Sequence, residues 1–138
     1  MQGVCGRLFA LVCIFVGAGS ASAQTAPERS TQTGVYTAAQ ASRGEETFAG
    51  ICRSCHTPAD YSAPAFTNAW AGKPLSDLFS FLSQMMPKSD PGSLPPAEYA
   101  QIIAYLLKLN GMPAGTTELP GDSIPLKSIR FDLPSKKQ

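Results

Sequence analysis

Histidine, cysteine and net charge are all scarce in this chain, and each scarcity removes a class of function. Of 138 residues one is histidine and four are cysteine, and 11 basic residues stand against 10 acidic ones. That balance lacks the basic excess a phosphate backbone demands, so nucleic acid is excluded as a partner. Long apolar runs are also missing. The one short run, Leu8 to Val16 (LFALVCIFV), follows Arg7 and precedes Gly17 to Ser20 and the small residues Ala21-Ser22-Ala23. That order of charge, apolar core and small residues reads as a secretory signal peptide over residues 1–23, cut after Ala23. The competing reading is a retained anchor, but the run falls well short of the roughly 20 residues needed to span a bilayer core. A lipid-modified Cys13 is disfavoured by the bulky Val12 before it. No second span is visible, and no stable membrane span is expected.

Cleavage at that point leaves residues 24–138, from which Arg7, Cys5 and Cys13 are gone. Basic and acidic residues are then equal in number, and Cys52 and Cys55 are the only cysteines. One closely spaced pair does not make a disulfide scaffold, so the pair has another task.

Convincing strand patterns are lacking as well; the periodic segments are helical. Gln24 to Gly34 is polar and aperiodic and reads as a flexible N-terminal arm. Thr37 is placed to cap a helix over about Ala38 to Gly50, with Ala41, Gly44, Phe48 and Ile51 recurring at three- and four-residue spacing. Thr57 to Ala71, rich in Pro, Ala and Asn, reads as a loop. A second helix is expected over Leu75 to Met85, with Leu75, Leu78, Phe79 and Leu82 on its apolar face and Pro87 as its stop. The third helix starts at Pro95-Pro96, carries Glu98 in its first turn and turns Ile102, Ile103, Leu106, Leu107 and Leu109 inward. Asn110-Gly111 closes it. Beyond Met112 a Pro- and Gly-rich tail lies over the body, with a short hydrophobic stretch from Ile124 to Phe131. Three modest helices with long loops give an all-α chain whose own apolar residues are thin for a core. A large apolar cofactor at the centre resolves the shortage.

Cys52-Arg53-Ser54-Cys55-His56 is a C-x-x-C-H motif, the haem c attachment signature. Two thiols three residues apart at a helix end point the same way and reach the two vinyl groups of one haem. The adjoining imidazole then lies beneath the iron. A redox dithiol expects a βαβ context that this sequence lacks. Zinc needs four ligands in a structural site, and here only three soft ones occur, crowded together. The second axial position decides function. With no second histidine and no spare cysteine, methionine is the candidate, although most methionines fill gaps in cores. Met86 leads because Pro87 after it ends the helix and fixes an extended path. Met85 is second and Met112 third. A soft thioether favours ferrous iron, and two protein ligands leave no open position, so His56 and Met86 together predict electron transfer rather than catalysis.

From about Val35 to Gly115 the chain resembles the class I c-type cytochromes, in particular small periplasmic monohaem cytochromes and the cytochrome domains attached to quinoprotein dehydrogenases. The likeness is carried by GVYTAAQASRGEETFAGICRSCH and by APAFTNAWAGKPLSDLFSFLSQMMPKSDPGSLPPAEYAQIIAYLLKLNGMPAG. It implies a small all-α fold of three main helices around one covalently bound haem c, with a cytochrome domain over 35–115. Residues 116–138 then form a tail packed on the domain or extending from it. It further implies that Gly44 and Phe48 pack the first helix on the last near Tyr105. The carbonyl of Pro64 would accept from the proximal imidazole, though Pro64 also reads as a loop proline, and Trp70 would wall the haem. The family often has Gly where this chain has Ala63 before that proline, and the tail lies outside the minimal fold. The function implied is a periplasmic electron carrier that takes electrons from a dehydrogenase and gives them to an oxidase or another cytochrome. The alternatives are a small haem enzyme or gas sensor with a labile sixth ligand, and a subunit of a dehydrogenase complex.

Overall fold

The computed structural model describes residues 29–135; the expected signal peptide and residues 24–28 of the arm lie outside them. Five α-helices and one two-stranded parallel ribbon make up the described chain. Strand β1 (Arg29–Ser30) is followed by a 3₁₀ turn (Thr31–Thr33) and helix α1 (Ala38–Thr47), which runs into a π-helical turn (Phe48–Cys52). A 3₁₀ turn (Pro58–Tyr61) and the helices α2 (Pro64–Trp70), α3 (Leu75–Met85), α4 (Pro96–Leu109) and α5 (Ser123–Leu126) follow, and strand β2 (Ile129–Arg130) ends the series. None of the described helices is long and apolar enough to cross a membrane.

Each long helix begins and ends for a local reason. Thr37 is extended, and its Oγ1 accepts from the Gln40 N–H at 3.0 Å, so α1 starts at Ala38. Proline at the first position of α4 costs no hydrogen bond, and Glu98 and Lys108 sit at the ends of the helix dipole that favour their charges. At its far end the Gly111 N–H donates to Lys108 C=O at 3.0 Å and the Met112 N–H to Leu107 C=O at 3.1 Å, with Gly111 at φ 73°. This crossed pair is the Schellman stop, which asks for a left-handed residue. Helix α3 ends because the ring of Pro87 disfavours helical backbone at the residue before it; Met86 is extended at φ −130°, ψ 150°.

Helices α1 and α4 form the most extensive pairing and are the floor of the molecule. Gly44 makes it possible: a Cβ there would overlap the main-chain carbonyl of Gln101. Beside that contact the rings of Phe48 and Tyr105 meet at 5.4 Å. Leu75, Leu78 and Leu82 of α3 complete the core with Ile103, Leu106 and Leu107 of α4, all buried.

Two stretches differ from the sequence expectation. Thr57 to Ala71 is not an irregular loop. Its prolines occupy the first positions of the 3₁₀ turn and of α2, where the missing N–H is free of cost, and Asp60 Oδ2 accepts from the Thr57 N–H at 2.7 Å. Residues 29–34 are not a free arm either. Strand β1 pairs in parallel with β2, Arg29 beside Ile129 and Ser30 beside Arg130, and Thr31 is fully buried. The Thr31 hydroxyl both donates to the Asp132 C=O at 2.8 Å and accepts from the Asp132 N–H at 2.9 Å. Composition missed this because the segment's partner is main chain a hundred residues away.

The tail is thereby drawn into the body. Met112, Leu119, Leu126, Ile129 and Phe131 are buried. Gln40, itself buried, binds Leu119 through both main-chain groups, each at 2.8 Å.

Candidate functional site

The π-helical turn hands the chain from α1 to the C-x-x-C-H segment. The Arg53 N–H reaches back to Phe48 C=O at 3.1 Å, the five-residue span of a π turn, a form frequent at functional sites. The N–H groups of Cys55 and His56 then both donate to Cys52 C=O, at 3.1 and 2.9 Å. This tight turn brings Cys52, Cys55 and His56 onto one wall of a cavity of about 570 Å³. Both thiols are free; Cys52 is half-buried and Cys55 exposed. Burial pushes the Cys52 thiol above its ordinary pKa, so as a free group it stays protonated and nucleophilically quiet.

The wall behind the imidazole is aromatic. Tyr61 lies edge-on to His56 with ring centroids 5.6 Å apart, and is itself met edge-on by Phe48 at 5.5 Å and by Phe66 at 5.2 Å. Its main-chain carbonyl accepts from Asn110 Nδ2 at 2.8 Å, tying it to the end of α4. Burial raises the Tyr61 phenol to about 12, with Cys52 and Asp60 adding to the shift, so the ring is neutral across the working range.

A second wall is the end of α3 and the turn after it. Met86 lines the cavity, with Pro87, Lys88, Asp90 and Ser93 beside it. Its backbone is held at both ends: the N–H donates to Leu82 C=O at 3.0 Å, and the carbonyl accepts from Tyr99 Oη at 2.7 Å and from the Gly92 N–H at 3.3 Å. Between the walls the surface is mostly apolar, with Leu82, Leu94, Ile102 and Leu106.

Of the residues singled out in the sequence, Cys52, Cys55, His56 and Met86 line this one cavity. Met85 does not: it is 54% exposed on the outer face of α3. Met112 is buried beyond α4, its carbonyl bound by Tyr36 Oη at 2.7 Å. Pro64 and Trp70 are outside the lining as well. Pro64 is the first residue of α2, and its carbonyl accepts from Thr67 Oγ1 at 3.4 Å. Trp70 stacks obliquely between Phe66 and Phe81, at 6.3 and 5.6 Å, with Lys73 Nζ over its ring at 5.3 Å. Sequence reasoning did not single out Tyr61 and Tyr99. Tyr61 was legible only through the T-P-A-D turn signal before it. Tyr99 reads as an ordinary core residue of α4, because a hydroxyl bond to a distant carbonyl leaves no local pattern.

The cavity suits the group the motif implies. Its volume lies within the ~300–1,000 Å³ typical of cofactor sites. Its lining is apolar enough for a porphyrin face and includes two thiols, an imidazole and a thioether.

Residues 39–106 match the family model described as "Cytochrome C oxidase, cbb3-type, subunit III". The matched stretch takes in the cysteine pair, His56, Met86 and α1 to α4 almost entirely. No curated protein and no solved structure matches the chain. Such a domain binds haem c covalently and serves electron transfer. The match and the helical fold agree: residues 39–106 indicate a c-type cytochrome domain, and the described chain is mostly helical, consistent with the small all-α fold of class I.

Proposed function

We propose that this protein is a periplasmic carrier of single electrons on one haem c, held between His56 and Met86. The observation that supports this most is the lining of the cavity: of the methionines at 85, 86 and 112, Met86 alone shares that lining with His56. When bound, the haem supplies one-electron chemistry at its iron. The protein's residues hold it and close it off. Cys52 and Cys55 would hold the haem through thioether bonds, each thiol adding its S–H across a vinyl group. His56 and Met86 would ligate the iron, and a thioether ligand would raise the potential by favouring ferrous iron. Leu82, Leu94, Ile102 and Leu106 exclude water, which pushes the potential the same way. Ligation on both faces opposes the alternatives of a small haem enzyme or a gas sensor. Its partners are then other redox proteins, with a dehydrogenase as donor and an oxidase or second cytochrome as acceptor.

An optical and magnetic-dichroism spectrum of the oxidised protein tests the ligand pair. Met86→Ala is expected to remove the methionine-to-iron band, lower the potential and admit carbon monoxide to the reduced protein at neutral pH. The same loss in Met85→Ala, with Met86→Ala unchanged, overturns the assignment.

The matched family's description favours one second reading, a subunit that delivers electrons within an oxidase complex. Co-purification of the tagged chain with a terminal oxidase distinguishes that reading from a free carrier.

A further inference from the structure

Between the imidazole and the chain's distal tail lies an unbroken column of rings. His56 meets Tyr61 at 5.6 Å and 63°, Tyr61 meets Phe66 at 5.2 Å and 73°, and Phe66 meets Phe131 at 6.1 Å and 78°. Every step is edge-to-face, the arrangement aromatic quadrupoles prefer, so each ring resists rotation of the next. The last ring is the most firmly held. Phe131 is 1% exposed, and both its main-chain groups are bound to the turn between α2 and α3: its N–H to Lys73 C=O and its C=O to the Gly72 N–H, each at 2.8 Å. The residue after it, Asp132, is fixed to the N-terminal segment by the two-way bond with Thr31 and by Gln32 Nε2 at 2.7 Å. The tail thus ends in a clamp, and the clamp abuts the column.

We propose that Phe131 is a positioning residue for the proximal histidine: the docked tail sets the orientation of the His56 imidazole through Phe66 and Tyr61. The inference rests on the reading of His56 as a haem ligand, not on Met86. An imidazole ligand needs something to fix its rotation about the bond to iron, and partners of metal-bound histidines tune both orientation and basicity. Here a packed ring stands against the imidazole edge, and its own support comes from a segment outside the domain's helical body. Losing Phe131 frees Phe66 to relax into the gap and releases Tyr61 from one of its three ring contacts.

The test uses the full-length haem-loaded protein and reads the hyperfine-shifted haem methyl resonances of the oxidised form, which report the ligand-plane orientation, together with the midpoint potential. Phe131→Ala and Tyr61→Leu are expected to displace the methyl pattern in the same sense and to move the potential. Tyr61→Phe, which keeps the ring, retains the native pattern. Leu126→Ala, which truncates an equally buried tail residue outside the column, loses thermal stability but keeps the pattern. If Phe131→Ala fails to accumulate, Phe131→Leu removes the ring at nearly constant volume and is read the same way. A native pattern in the Phe131 variant, or an equal displacement in Leu126→Ala, overturns the proposal. Absence of a methionine-to-iron band in the unmutated protein sinks the Met86 assignment instead and leaves this comparison of variants intact.

Discussion

The two walls of the cavity are built on opposite principles. Behind His56 the contacts are rings on rings, with Tyr61 between Phe48 and Phe66, and the side-chain polar groups take almost no part. Met86 also packs against the core, but its backbone is held by three hydrogen bonds, from its own N–H, from Tyr99 Oη and from the Gly92 N–H. Ring packing tolerates small shifts but punishes lost volume; hydrogen bonds tolerate changed volume but punish a lost donor. On the proposed function, a histidine beside two cysteines that anchor the haem covalently can be steadied by shape. A methionine on a turn, with three flexible bonds of its own, needs its main chain fixed first.

The contrast is best broken at its root. Gly44→Ala forces a methyl group into the Gln101 carbonyl, parts α1 from α4 and unseats Phe48 behind the proximal wall. The expected loss is about 3 kcal/mol or more, read by denaturant unfolding of the holoprotein. Tyr99→Phe probes the distal wall alone. It removes the hydroxyl from the Met86 carbonyl while keeping the ring, and should cost about 1 kcal/mol. It should weaken the methionine-to-iron band while the proximal histidine's signals stay put. The smallest effect is at the clamp behind the column. The Arg130 guanidinium, with Ser30 helping, holds the Asp132 carboxyl below its ordinary value of 3.8. A depressed folded value means that the stabilisation is fully present above the ordinary carboxylate range and fades as the pH falls through the lower, folded one. Acid titration of the melting temperature should therefore show a loss of under ~1 kcal/mol below about pH 5, absent in Asp132→Asn.

Much of this was legible in the chain. The caps Thr37, Pro96 and Gly111 mark their helices through local chemistry, and α3 runs from Leu75 to Met85 as its leucine spacing and Pro87 predict. That Cys52, Cys55, His56 and Met86 share one cavity could be anticipated because the C-x-x-C-H spacing and the helix stop are written in adjacent residues. The rest depends on contacts between distant segments. Thr31 and Asp132, Gln40 and Leu119, and Tyr99 and Met86 recognise main chain, which no residue pattern announces. The short helix α2 escaped because Pro64 reads as a loop-former, when it sits at the first position, where a helix welcomes it. The aromatic column escaped for a related reason: its members are spread over three elements and the tail, each ordinary alone.

The grip of Gln40 on residue 119 has a consequence for how the sequence can drift. One carboxamide supplies the acceptor and the donor that a neighbouring strand would otherwise offer, and what it reads is peptide rather than side chain. At residue 119 the bond therefore asks only for a main-chain N–H and C=O, which any residue but proline supplies, while burial asks the side chain to be apolar and of fitting size. Gln40 has no such latitude. Shortening it to Asn withdraws the amide by one methylene and leaves the main-chain N–H and C=O of Leu119 without this partner. At this contact the informational burden sits on a single helical residue, which reads the main chain of residue 119 and not its side chain.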